Sequence, residues 1–123
     1  TPGPDYRREL ELSTGLALTR YTHAGNARRR EVFVSSPDQV LVVRIHGAGP
    51  LEVTAKLQAA FPSRPVAGPA EGLLIEGQWI NDGTERPWTA DVREPGMRFA
   101  IGLRVLDGRA ARRDGWLVAS GTG

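Results

Sequence analysis

The sequence predicts an all-β protein, an antiparallel β-sandwich with few or no helices. Three observations carry that expectation. Apolar and polar residues alternate in short runs from Tyr6 to Ile45 and again from Met97 to Leu106, the period-two order of a half-buried strand. Turn-forming residues separate the runs, and 15 Gly and 9 Pro fit many turns and few helices. No stretch repeats its apolar residues with helical spacing. At 123 residues the chain suits one domain, residues 1–123, with a modest core.

Taken in order, Thr1 to Asp5 is a loose entry and Arg7 to Leu12 a strand with Leu10 and Leu12 on one side. Ser13, Thr14 and Gly15 turn the chain into a second strand, Leu16 to His23. Ala24, Gly25 and Asn26 make a hairpin connection. Ala27 to Ser36 follows, with Val32 and Val34 on one face and Glu31, Phe33 and Ser35 on the other. Pro37 and Asp38 form a corner, Pro fixing φ and Asp capping local amides. Gln39 to His46 holds a Val-Leu-Val-Val run that is apolar on both faces, the pattern of a central strand. Leu51 to Ala59 alternates cleanly, with Leu51, Val53, Ala55, Leu57 and Ala59 inward. Residues 60–72 form a long loop. Leu73 to Trp79 is a strand, 80–94 is irregular with a short strand near Trp88 to Val92, and Met97 to Leu106 is a further strand. Asp107-Gly108 fits a type I′ turn, and Gly115 to Ser120 closes the chain. This last strand leaves a sheet edge open to pairing.

Composition excludes several classes. Without Cys there are no disulfides and no thiolate-bound metal or cluster. The pI near 9.7 suggests nucleic acid, yet sixteen basic residues face fourteen acidic ones, a net charge of only +2. Lys56 is the one lysine, so few groups titrate between neutrality and about pH 10, and a slight basic excess moves the pI far. Arg28, Arg29 and Arg30 form a basic run, but a strand points Arg29 away from its neighbours. Neither nucleic acid nor a membrane is an expected partner. His23 and His46 stand alone near strand ends, without the converging ligands a metal needs. No nucleophile elbow or phosphate loop is present. Glu9 and Glu11 share a strand face, the ordinary arrangement of a solvated surface. No cofactor, metal ligand or catalytic residue is expected from this chain.

The best binding candidate is the segment from Gln78 to Trp88. Trp79 and Trp88 flank a polar loop containing Asn81, Asp82, Glu85 and Arg86. Indole faces stack on sugar rings while polar neighbours fix hydroxyls, so Trp79, Asn81, Asp82, Arg86 and Trp88 are the carbohydrate-contact candidates. The competing reading is that the tryptophans close the open end of a sandwich, since their large area anchors cores. Trp116, in the last strand, is assigned to the core. An independent carbohydrate-binding module is therefore the alternative to a purely structural domain.

Three pieces carry a resemblance. They are YRRELELSTGLALTRYT (Tyr6 to Thr22), RREVFVSSPDQVLVVRI (Arg29 to Ile45) and EPGMRFAIGLRVL (Glu94 to Leu106). In this order and spacing the chain resembles the N-terminal β-sandwich domain of the family 95 glycoside hydrolases, the α-L-fucosidases. The second piece is the most specific, with its Ser-Pro-Asp-Gln corner and double-valine strand ending in Arg. The resemblance implies a fragment of a larger multidomain enzyme: a super-sandwich, a helical linker, an (α/α)₆ barrel and a C-terminal β-domain. In such enzymes the barrel removes terminal α-L-fucose with inversion, using an acid and a base on opposite faces of the sugar. No barrel residue lies in this chain, so the resemblance assigns it no catalytic residue. The implied partners are the linker and barrel of the parent chain, with fucosylated glycans and self-association through open sheet edges as further expectations. The compartment stays open; a secreted or periplasmic parent is compatible with the resemblance. One departure stands out: where many relatives have Ala-Pro-His wording before the EPGMRF-like strand, this chain has GQWINDGTERPW, which leaves the parent's substrate preference open.

Overall fold

A computed structural model describes residues 5–80 and 95–122. All regular structure among them is β, in ten strands: β1 Arg7–Glu11, β2 Leu16–His23, β3 Asn26–Ser35, β4 Val40–Gly47, β5 Pro50–Ala55, β6 Ser63–Pro65, β7 Gly72–Ile80, β8 Pro95–Arg104, β9 Arg109–Arg113 and β10 Trp116–Thr122. They form a four-stranded sheet ordered β1-β2-β3-β4 and two three-stranded sheets ordered β5-β10-β9 and β6-β7-β8. The chain divides into two compact units, Thr1–Leu51 with Thr122–Gly123, and Glu52–Gly121.

The first unit is an antiparallel meander, as the alternation requires. Ala24 and Gly25 both take positive φ, 49° and 76°, which gives the two-residue hairpin between His23 and Asn26 the twist its strands need. At the first turn the Gly15 amide donates to the Glu11 carbonyl at 2.8 Å, and Thr14 Oγ1 donates to the Glu11 carboxylate at 2.7 Å. At the Pro37 corner, Asp38 accepts from the Ser35 hydroxyl at 2.6 Å, a side-chain partner rather than the local amides expected. Gln39, at φ 57°, completes the reversal while its amide donates to the Ser36 carbonyl at 2.7 Å.

One face of this sheet carries an apolar patch bordered by the row Arg8-Thr19-Arg30-Ile45. Leu10, Ala17, Val32 and Val43 align in one row across it, with Val34 opposite Leu41 in the next. The other face carries the rows Arg7-Arg20-Arg29-His46 and Glu9-Leu18-Glu31-Arg44. The expectation that the valine-rich fourth strand is central is corrected. β4 is an outer strand of its sheet, and Val40, Leu41 and Val43 are exposed. An apolar run records what a strand could bury, not how many neighbours it has.

Among the described residues, the second unit holds the two buried hydrophobic side chains, Leu117 at 1% exposure and Ile75. Arg112 of β9 bridges its two sheets: Nε donates to the Gly72 carbonyl on β7 and Nη2 to the Pro69 carbonyl, each at 2.7 Å. The inward alternation expected from Leu51 to Ala59 is present, each of the five named residues being half-buried between exposed neighbours. The strand itself stops at Ala55. Two strands were not anticipated. β6, three residues long, lies within the expected loop and pairs Ser63 to Pro65 with Gly77 to Ile75. β9 pairs with β10 around Asp114-Gly115, whose φ values of 49° and 79° mark the type I′ hairpin turn. The Asp107-Gly108 pair, expected to be such a turn, instead joins β8 to β9, strands of different sheets.

Candidate functional site

Of the five carbohydrate-contact candidates, Trp79 is described; Asn81, Asp82, Arg86 and Trp88 lie outside the described residues. Trp79 is half-buried near the end of β7, where the pairing with β8 slips between Gln78 and Ile80. Such an irregularity turns a side chain away from the regular alternation. Gly96 lies against it: a side chain there would run into the Trp79 carbonyl and indole. The Gln78 amide donates to the Gly96 carbonyl at 3.0 Å and holds the two strands together at this point. The indole thus has a fixed seat at the entry to the candidate loop.

Beside it, an open groove of about 740 Å³ runs over β6, β7 and β8, bounded by Arg64, Glu76, Gln78 and Arg98. The first sheet offers a smaller hollow of about 250 Å³ near Tyr21, Arg28 and His46. Arg28 is 6% exposed; its guanidinium donates to the carbonyls of Ala48 at 3.0 Å and Pro50 at 2.7 Å. A guanidinium taken from water must recover its lost hydrogen bonds, and these carbonyls supply them. The geometry fastens the Gly47–Pro50 turn to β3.

Two carboxylates, Glu9 and Glu31, are engaged with cations among the described residues. Glu9 meets Arg7 at 2.6 Å and Arg20 at 2.5 Å. Desolvation raises its pKa, but the charges and hydrogen bonds of Arg7 and Arg20 together outweigh that and hold the carboxyl below its ordinary value. Glu31, buried at 8% exposure, meets Arg29 at 2.5 Å, with Arg44 at 3.5 Å and His46 at 3.6 Å. Sequence reading placed Glu31 on a strand face but missed this cluster. The signal available was its cross-strand register with Arg44, which depends on knowing the loop length at Pro37. Glu9 and Glu11, weighed as a carboxylate pair, separate into different roles, Glu9 with arginines and Glu11 with Thr14. Among the described residues no three His, Asp or Glu side chains gather as metal ligands.

Trp116 requires a correction. Assigned to the core on its size, it is 44% exposed. Directly after the Asp114-Gly115 turn, it lies opposite Arg113, and Lys56 Nζ stands 5.5 Å from its ring centroid. Leu117, the next residue, takes the inward position instead.

Two comparisons place the chain. Residues 1–121 match the model of the glycosyl hydrolase family 65 N-terminal domain. A stretch of 52 residues, 42% of the chain, is 38% identical to Alpha-L-fucosidase 2 of Arabidopsis thaliana and covers 6% of that protein's length. The family 65 label and the family 95 resemblance describe the same kind of N-terminal sandwich, and the two comparisons do not separate them. With nearly its whole length matched, the chain belongs to the glycosyl hydrolase family 65 N-terminal domain family.

Proposed function

We propose that this chain is the non-catalytic N-terminal domain of an α-L-fucosidase-like glycoside hydrolase, supporting an (α/α)₆ barrel that hydrolyses terminal α-L-fucosides. The observation that carries this reading is the match of residues 1–121 to a glycosyl hydrolase N-terminal domain; the fucosidase relative supplies the substrate class. The chemistry of the described carboxylates agrees. An inverting hydrolase needs one carboxyl kept protonated and another left to activate water across a sugar. Arg7 and Arg20 hold Glu9 in its ionised form, and Glu31 is taken up in ion pairs with Arg29 and Arg44, which suits support rather than proton transfer.

The apolar patch on one face of the first sheet supports a docking role. Leu10, Val34, Leu41 and Val43 lie on that face and are all exposed. Contiguous exposed apolar surface marks a place where another surface binds. We assign it to the remainder of the parent chain. A fluorogenic α-L-fucoside decides the catalytic part: the 123-residue chain gives no turnover above buffer, whereas the parent releases L-fucose with inverted configuration. Turnover by this chain alone would refute the reading. For docking, Leu41→Glu leaves this chain folded but lowers the melting temperature of the parent.

A further inference from the structure

Trp116, Lys56 and Arg113 form a cluster that the supporting role does not use. We propose that they make a platform for an acidic pyranoside, a uronic acid unit of an oligosaccharide. Four observations combine. The indole is 44% exposed, although burial of its large area would be favourable. It follows a type I′ turn of fixed backbone shape, Asp114-Gly115, so its base is rigid. Lys56 Nζ sits 5.5 Å from the ring centroid, within cation–π range. Arg113 is directly opposite Trp116 in the β9–β10 pairing, which sets both side chains on one sheet face.

The chemistry follows from those placements. The C–H face of a pyranose stacks on indole through apolar area. A carboxylate on the same sugar suits a planar Arg fork, which binds it with two parallel hydrogen bonds, and the three donors of an ammonium. Among the described residues, no ion pair engages Lys56 or Arg113. A neutral sugar would use the indole but offer neither Lys56 nor Arg113 an anionic partner, which is why the acidic class is favoured. The platform is separate from the Trp79 segment and does not depend on the parent being a fucosidase.

The test titrates the 123-residue chain with trigalacturonate by calorimetry and tryptophan fluorescence. Its carboxyl-reduced neutral counterpart and sodium sulfate serve as comparators. Saturable binding of trigalacturonate is expected, weakened about tenfold by Trp116→Ala and severalfold by Lys56→Gln or Arg113→Gln. Trp79→Phe should leave it unchanged, and the neutral trisaccharide should bind more weakly. Circular dichroism confirms that each variant stays folded. Absent binding, binding indifferent to Trp116→Ala, equal affinity for the neutral sugar, or full competition by equimolar sulfate would each overturn the proposal. So would a dimer in sedimentation that Trp116→Ala dissolves, because the indole would then belong to a protein contact.

Discussion

The Arg28 guanidinium crosses 22 positions of sequence to donate to the Pro50 carbonyl at 2.7 Å. Its other terminal nitrogen donates to Ala48, so one side chain satisfies two carbonyls of a turn. Removing it as Arg28→Ala strands both acceptors in a half-dry site. Charge-assisted hydrogen bonds contribute about 1.5–3 kcal/mol each, but the guanidinium's own desolvation is relieved at the same time. The net loss should be about 2–3 kcal/mol, read as a lower urea midpoint with an unchanged slope. Gly47→Ala should act through the same contact, because a side chain there runs into Arg28 and the Ala27 carbonyl.

Glu9 gives a pH dependence of defined sign. Its folded-state pKa lies below the ordinary 4.5. A depressed carboxyl contributes stability that is fully present above its unfolded pKa and disappears as pH falls through the folded value. Stability should therefore decline with acid below about pH 4.5, and Glu9→Gln should flatten that decline. Because the pair is open to solvent, added salt should weaken the effect. An NMR titration placing the Glu9 midpoint at or above 4.5 would contradict it.

Gly77 and Gly96 are also held by close approach. A side chain on Gly77 would meet the Phe99 ring and the Pro62 carbonyl; one on Gly96 would meet the Trp79 backbone and indole. A backbone oxygen cannot rotate aside as a side chain can, so Gly77→Ala and Gly96→Ala should each cost about 1–3 kcal/mol, the range for overpacking. Gly96→Ala should also shift the Trp79 emission, whereas Gly77→Ala should leave it near its original wavelength.

Adjacent in sequence, Leu117 and Trp116 should respond unequally to truncation. Leu117 is 1% exposed, and Leu117→Ala should cost about 2–5 kcal/mol through lost burial and the cavity left behind. Trp116→Ala removes a larger side chain but one mostly in water, so its stability cost should stay below that of Leu117→Ala in thermal melts.

Much of the fold was legible because alternation and turn chemistry act locally. Ala24-Gly25, the Pro37 corner and the five half-buried positions from Leu51 to Ala59 all follow from residues within a few positions of one another. What escaped depends on distant pairing. β6 spans only Ser63–Pro65, too short to show a period, and becomes a strand because β7 lies beside it. β9 is the arginine-rich Arg109–Arg113, whose polarity hides its strand character until the Asp114-Gly115 hairpin is known. The outer placement of β4 and the exposure of Trp116 escaped for one common reason. Hydrophobicity says what a residue would gain from burial, while topology decides whether cover is within reach. For the candidate site, sequence placed Trp79 in a strand end but gave no hint that Gly96 lies against it.

Lys56 is the chain's sole lysine, and it lies over an indole. An amine-reactive label therefore has a single side-chain target, next to a built-in fluorophore. Acylating that amine would abolish its charge without touching the backbone. The emission change would then report on this one corner of the molecule, with no mutation needed.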